Sequence, residues 1–242
     1  MSSVIEEDTR SSRLSVAIER ARQRISAAAL RSKRRIEDIT LVAVTKTHPA
    51  AAVREAIAAG LTEFGENRVQ EAELKIPEVG RAAARWHLIG HLQSNKARRA
   101  VELFDMIHSL DSVDLARRLD RLCGEVDREE LPVLIQVDLG HEATKTGVEE
   151  KDLRKVVGAV RECNRLRLIG LMTLPPFFDT AEKARPYFKR LRELRDELQT
   201  REVFGERRGD LSMGMTHDFE IAIEEGATII RVGTAIFGER HV

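Results

Sequence analysis

Val133-Leu-Ile-Gln-Val-Asp-Leu139 is the stretch from which the fold is read. It is almost continuously apolar and rich in β-branched residues, the pattern of a strand buried on both faces of a parallel sheet. A polar loop follows, then a helical pattern over Glu150–Cys163, then a second apolar run, Leu166-Arg-Leu-Ile-Gly-Leu-Met-Thr173. Strand, helix, strand in that order predicts two parallel strands joined by a crossover helix. Working outward, the same unit recurs. Thr40–Lys46 precedes a helix opening at Pro49, a residue well suited to a first turn. Glu63-Phe-Gly-Glu66 precedes a charged helix that Asn67 starts and that ends near Ile76-Pro77. Trp86-His-Leu-Ile-Gly90 precedes Lys96–Leu103, capped by Asn95. Met106–Leu110 precedes Asp114–Gly124. Downstream, Leu166–Thr173 is followed by a long helix from about Thr180 to Gln199, Asp210–Met213 by Phe219–Glu225, and Thr228–Thr234 is the eighth strand.

Eight strand–helix units within about two hundred residues favour closure into a (β/α)8 TIM barrel over an open doubly wound sheet. Ahead of the first strand, Leu14, Ile18, Ala21 and Ile25 recur at helical spacing and predict an extra N-terminal helix from Ser12 to about Arg34. Residues 1–11 read as a disordered polar arm. Nothing resembling a linker interrupts the series, so residues 1–242 read as one barrel domain.

Composition narrows the function. Forty basic and forty acidic residues cancel, and the arginine pairs are scattered, so the chain is not expected to bind nucleic acid or an anionic membrane. Cys123 and Cys163 sit inside helical patterns as buried thiols, and no Cys/His cluster has zinc spacing. The first residues carry acids and lack a signal peptide's apolar region, and no stretch is long enough to span a bilayer. A cytoplasmic location is expected.

In a (β/α)8 barrel the functional face is the ring of strand C-termini. Thr45-Lys46, Glu66-Asn67, Gly90-His91, Ser109, Asp138, Ser212-Met213-Gly214, and Arg231 with Gly233-Thr234 would gather there. By itself, Lys46 could simply leave its strand and reach solvent. At a barrel rim, however, burial can lower an amine's pKa and make it a nucleophile. Phosphate sites in barrels recur in the loops after strands seven and eight, where Ser212-Met213-Gly214 and Gly233-Thr234 fall. Arg231 shares a strand face with Gly233 and could donate to a ring nitrogen. An imine-forming lysine beside a phosphate cradle points to pyridoxal 5'-phosphate. His87, His91, His108 and His217 have no nucleophile paired with them in sequence and read as packed or capping residues. Glu66 and Asp138 are candidates for acid–base work or for balancing rim cations.

Six segments carry a more specific signal. Leu41-Val-Ala-Val-Thr-Lys46, Phe64-Gly-Glu-Asn67 with Gln70-Glu71, Trp86-His-Leu-Ile-Gly90 with Leu92-Gln-Ser-Asn-Lys96, Leu171-Met-Thr173, Leu211-Ser-Met-Gly-Met215 and Arg231-Val-Gly-Thr-Ala-Ile-Phe-Gly238 strongly resemble the pyridoxal phosphate homeostasis proteins. These are the YggS/PROSC-like proteins, built on an alanine-racemase-type barrel. The resemblance covers about residues 12–240. It implies that Lys46 carries pyridoxal 5'-phosphate as a Schiff base, that Arg231 faces the pyridine nitrogen, and that Ser212, Gly233 and Thr234 hold the phosphate with the Met213 backbone nearby. Asn67 would lie beside the ring. It further implies a carrier or buffer in vitamin B6 homeostasis without robust turnover, with PLP-dependent apoenzymes as partners. The sequence departs from the family pattern at His91, where proline is expected, which could loosen that loop. It departs again at His217, where an acidic residue is common.

Two enzyme readings compete. A racemase of the same barrel type needs a second base opposite the lysine. The only tyrosine, Tyr187, falls in the helix after strand six, and the barrel leaves no length for a second domain. A class I aldolase would use Lys46 on a carbonyl substrate without a cofactor. With no second domain or long apolar helix face, a monomer is expected.

Overall fold

The computed structural model describes the backbone of residues 2–140 and 146–238, and side chains from residue 13 onward. Eight parallel strands close on themselves in sequence order: β1 (Thr40–Val44), β2 (Glu63–Glu66), β3 (Arg85–Leu88), β4 (Met106–Leu110), β5 (Leu131–Gln136), β6 (Leu166–Met172), β7 (Asp210–Met215) and β8 (Ile229–Val232). The seam is the parallel pairing of β1 with β8, which sets Thr40 beside Ile229, Val42 beside Arg231 and Ala43 beside Val232. Between the strands run α2 (Ala50–Ala58), α3 (Val69–Val79), α4 (Ala97–Leu103), α5 (Val113–Glu125), α6 (Leu153–Glu162), α7 (Arg185–Gln199) and α8 (Phe219–Glu224), and a short α9 (Thr234–Phe237) follows β8.

Side chains alternate across each strand, and the register sorts them. Phe64 and Trp86, paired across β2 and β3, are buried toward the helices, their rings 5.7 Å apart. Val42, Met106, Leu134, Ile169, Met172 and Ile229 form a separate apolar cluster inside the barrel. The rest of that interior is polar, as described below.

The extra N-terminal helix, α1 (Ser2–Arg31), buries Leu14, Ile18, Ala21, Ile25, Ala28 and Ala29 against α8 and α9. The helix starts at Ser2, so the backbone read as an arm over residues 2–11 is helical; Met1 lies outside the described residues. Arg24 lies over the Phe219 ring at 4.4 Å and grips Glu220 through two bonds of 3.1 and 3.2 Å. The helix stops three residues earlier than expected because Lys33 takes a positive φ of 55°, letting Arg34 N–H close back onto the Ala29 carbonyl at 2.9 Å.

Other differences are local. β1, β3, β6 and β8 end one or two residues before the expected positions and β5 three before, β2 and β4 end where expected, and β7 runs on to Met215. Asn95 does not cap α4: it sits inside a 3₁₀ turn, Ser94–Lys96, and Lys96 takes the cap position without a side-chain bond. The helix after β2 starts at Val69, and Pro77 lies within it. Ser112, by contrast, caps α5 through Leu115 N–H. The polar loop after β5 falls partly on residues 141–145, outside those described. Cys123 is buried, while Cys163 is only partly so; burial pushes its thiol up to about 11. No described helix is long and apolar enough to cross a membrane.

Asp105 anchors the start of β3. Its carboxylate accepts Trp86 N–H at 2.7 Å and two Arg81 bonds at 2.7 and 3.0 Å. Burial alone would raise this carboxyl, but Arg81 and the Trp86 N–H outweigh it and hold it below its ordinary value. A depressed carboxyl contributes stability above the unfolded-state pKa, and that contribution is lost as pH falls through the folded-state value. Asp105→Asn is therefore expected to lower stability at neutral pH and to flatten the acid limb of the stability–pH curve. Urea unfolding across that range would show it, and an unchanged acid limb would contradict it.

Candidate functional site

Two strands place the candidate lysine. β1 ends at Val44, and Lys46 leaves two residues later, half-buried at the C-terminal mouth. On one flank, Val44 pairs with Gly65 of β2, and Asn67 leaves two residues beyond Gly65. On the other flank, Val44 packs on Gly233, where a Cβ would meet the Val44 carbonyl at 3.3 Å. Lys46 thus emerges between Asn67 and the Gly233-Thr234 turn.

The backbone just before Lys46 is clamped. Thr45 is fully buried; its N–H donates to the Gly65 carbonyl at 3.1 Å and its hydroxyl to Glu66 Oε1 at 2.6 Å. Lys75, reaching in from α3, donates to the same carboxylate oxygen at 2.5 Å and to the Thr45 carbonyl at 2.7 Å. Burial raises the Glu66 carboxyl, while Lys75 and Thr45 pull it back. Among the described residues, Glu66 Oε2 is buried without a hydrogen-bond partner. Glu66 therefore balances a buried lysine and positions the Lys46 loop. After Lys46, Thr47 turns through a φ of 67° and gives its N–H to Glu71, while His48 stacks on Phe237 of α9 at 5.0 Å.

Arg231 lies inside the barrel, 2% exposed. Its Nη1 donates to Ser212 Oγ at 2.5 Å and its Nη2 to the Thr173 carbonyl at 3.0 Å. Burial lowers the guanidinium to about 10, with the Asp218 carboxylate opposing, so Arg231 is a cation at neutral pH. Ser212 is buried and also contacts His108 Nδ1 at 2.9 Å, so its hydroxyl faces inward. The Met213 side chain belongs to the outer core. Gly214 has a φ of 90°, and a Cβ there would strike Ala222 Cβ at 2.5 Å and Phe219 Cα at 2.8 Å. Thr234 is exposed at the first turn of α9, whose leading N–H groups have no intrahelical acceptor.

The structure brings Lys46, Asn67, Gly233 and Thr234 to one mouth, with Arg231 and Ser212 paired beneath. His91, expected to loosen its loop, is tied to Asp111 at 3.2 Å, and Ser109 holds the Gly90 carbonyl at 2.7 Å. Gly90 is needed there, since a Cβ would fall 2.2 Å from the Asn67 carbonyl oxygen. His217 is exposed, its ring 5.7 Å from Phe177. Asp138 accepts Gly140 N–H at 3.2 Å. Tyr187 packs on α7 against Phe178, its ring 5.7 Å away on the outer core. No metal-binding cluster occurs among the described residues. Sequence reasoning missed Lys75. Its signal was a lysine on the apolar stripe Val69-Ala72-Ile76 of α3, where a charge needs a buried partner.

The alanine racemase N-terminal domain model matches residues 21–241. The pyridoxal phosphate homeostasis protein of Aquifex aeolicus (strain VF5) is 43% identical over 223 residues, covering 92% of this chain and 96% of that one. The chain belongs to the pyridoxal phosphate homeostasis protein family. Among solved structures, PipY of Synechococcus elongatus PCC7942 with PLP bound is 45% identical, with a TM-score of 0.77 over 90% of this chain and 99% of that one. An alanine racemase of Clostridium difficile 630 superposes with a TM-score of 0.70 at 13% identity, this chain covering 58% of that one, a likeness of fold alone.

The clamp yields a prediction. Lys75→Ala strands the Glu66 carboxylate in the interior and is expected to cost about 3–5 kcal/mol. The double variant Lys75→Met/Glu66→Gln is expected to recover part of that loss. Denaturant unfolding of the single and double variants measures both, and equal losses would contradict a coupled pair.

Proposed function

We propose that this mouth holds pyridoxal 5'-phosphate through Lys46 and that the protein serves in intracellular PLP homeostasis as a carrier or buffer. The observation that carries the reading is the seam: β1 and β8 lie side by side, so an amine and a Gly-Thr turn emerge together above a buried arginine. The donor set suits the group. An amine meets an aldehyde, a guanidinium meets a pyridine nitrogen, and a threonine hydroxyl with helix-start N–H groups meets a phosphate. The PLP-bound relative supports the same assignment.

When bound, PLP supplies an aldehyde that condenses with amines and a ring that withdraws electrons. The chain's residues govern the rest. Lys46 tethers, held in place by the Thr45–Glu66–Lys75 clamp. Arg231 only donates, so it leaves a ring nitrogen unprotonated and the ring a weaker electron sink than an acidic partner would. Thr234, Gly233 and the backbone at Met213 take the phosphate. Ser212, whose hydroxyl is engaged with Arg231 and His108, acts through Arg231. Asn67 flanks the ring. Tyr187 sits on the outer layer, so the mouth has no tyrosine to act as a second base among the described residues. A tether without that base favours holding over racemisation. PLP-dependent apoenzymes are the proposed recipients, and the monomer the proposed carrier.

Intact mass after borohydride reduction is expected to show one cofactor equivalent on the parent protein and none on Lys46→Ala; an equal mass gain in both would refute the tether. Multiple turnovers of L- or D-alanine would refute the carrier reading. Thr234→Ala is expected to speed PLP loss on dialysis severalfold without abolishing binding, because backbone donors remain. Parental retention in that variant would contradict the cradle.

A further inference from the structure

A line of polar side chains crosses the barrel interior and ends on Ser212 and Arg231; its other members, Glu63, His87 and His108, have no role in the site described so far. Glu63 Oε2 lies 2.6 Å from His87 Nε2, His87 Nδ1 lies 2.9 Å from His108 Nε2, and His108 Nδ1 lies 2.9 Å from Ser212 Oγ. Ser212 Oγ in turn accepts from Arg231 at 2.5 Å. The line starts at the first residue of β2, runs through β3 and β4, and crosses the lumen to β7 and β8. His87, His108, Ser212 and Arg231 are all buried, whereas the Glu63 side chain is 17% exposed and reaches solvent at the N-terminal face.

A guanidinium can only donate and a carboxylate can only accept. With Glu63 ionised and both imidazoles neutral, one placement of hydrogens makes every link. Ser212 accepts from Arg231 and gives its own O–H to His108 Nδ1. His108 must then carry its hydrogen on Nε2 and donate to His87 Nδ1. His87, likewise protonated on Nε2, donates to Glu63. All four hydrogens point from the arginine toward the glutamate, and both imidazoles are neutral.

Only one other arrangement keeps both imidazoles neutral and every link made. It holds one more proton. Glu63 becomes a carboxylic acid and donates to His87 Nε2; His87 Nδ1–H donates to His108 Nε2; His108 Nδ1–H donates to Ser212 Oγ. Ser212 then accepts twice, and its O–H is free to turn toward the mouth. Counting from the mouth, the proton gained by Ser212 displaces one hydrogen per link, and the last arrives on Glu63; no bond other than N–H and O–H changes.

We propose that Glu63, His87, His108 and Ser212 form a proton relay beneath Arg231, which switches the Ser212 hydroxyl between His108 and the mouth when one proton is taken up. Its charged surroundings are few. Arg85 of β3 pairs with Glu63 at 3.3 Å. Arg231, with Asp218 beyond it, bounds the other end. Gln136 shares the face of Leu134, Arg167 and Asp210 stand at the starts of β6 and β7, and an apolar cluster lies between them. Burial, together with His87 and Arg231, holds the His108 ring well below the ordinary imidazole range, which keeps the His108 imidazolium out of the neutral-pH state. Glu63, His87 and His108 are thus positioning residues. The coupling to cofactor grip rests on the proposed PLP site; the relay itself does not.

The test has two arms. In the ligand-free protein, ¹⁵N chemical shifts of the imidazole nitrogens report tautomers directly. Both rings are expected to carry hydrogen on Nε2 at neutral pH and to switch together to Nδ1–H as pH falls, at one midpoint. In Glu63→Gln, whose amide can accept or donate, that pH-dependent switch is expected to vanish while the fold persists. Opposite tautomers at neutral pH, or an imidazolium forming before the switch, would overturn the relay. In the second arm, PLP retention is measured on both sides of the midpoint. One added hydroxyl donor to a phosphate is expected to tighten retention about tenfold on the acid side in the parent relative to Glu63→Gln. A tautomer switch accompanied by identical retention profiles would overturn the coupling, whereas failure of both proteins to bind PLP would count against the cofactor site alone.

Discussion

Pairing of β1 with β8 joins segments about 190 residues apart, Thr40 to Ile229, and every other feature of the mouth depends on it. Without that seam Val44 has no Gly233 to pack on, Lys46 has no phosphate-type turn beside it, and His48 has no Phe237. The seam also sets Arg231 beside Val42 and Met215, which buries its guanidinium inside the barrel rather than letting it reach solvent. α1 reinforces this region from outside by packing on α8 and α9, with Arg24 spanning Phe219 and Glu220.

Buried charge is handled in two ways within a short distance. At the mouth, Lys75 and Glu66 form a compact pair whose ends also bond Thr45, so both ions share one small polar pocket. In the interior, Arg231 and Glu63 stand far apart, joined by Ser212, His108 and His87. The first arrangement fixes a loop. The second, in the proposed relay, leaves a proton position to be chosen, because each imidazole can carry its hydrogen on either ring nitrogen.

The barrel and its rim were legible because they rest on local signals. Apolar runs ending in Gly, Asn, Ser or Thr recur, and the strand-end rule collects Lys46, Asn67 and Gly233-Thr234 without any knowledge of contacts. Several strand ends slipped by one to three residues, and Asn95 was misread as a cap, since a 3₁₀ turn and a capped helix start look alike in sequence. The interior line was not legible. His87, His108 and Ser212 each look like an isolated polar residue in an apolar strand, and their partners lie in strands as much as 104 residues away. Only the closed register shows that they face one another. Ser212 shows the cost of this: its place beside a Gly turn suggests a phosphate donor, and nothing in the sequence shows that its hydroxyl also meets Arg231 and His108.

The seam has a mechanical meaning as well. A ligand that touches both Lys46 and Thr234 contacts the first strand and the residue after the last, so it binds only when the ring is closed. By mass action such a ligand stabilises the closed ring over any form in which β1 and β8 have parted. Loading the mouth would then act as a fastener, slowing the local opening of the one junction that no short loop holds together.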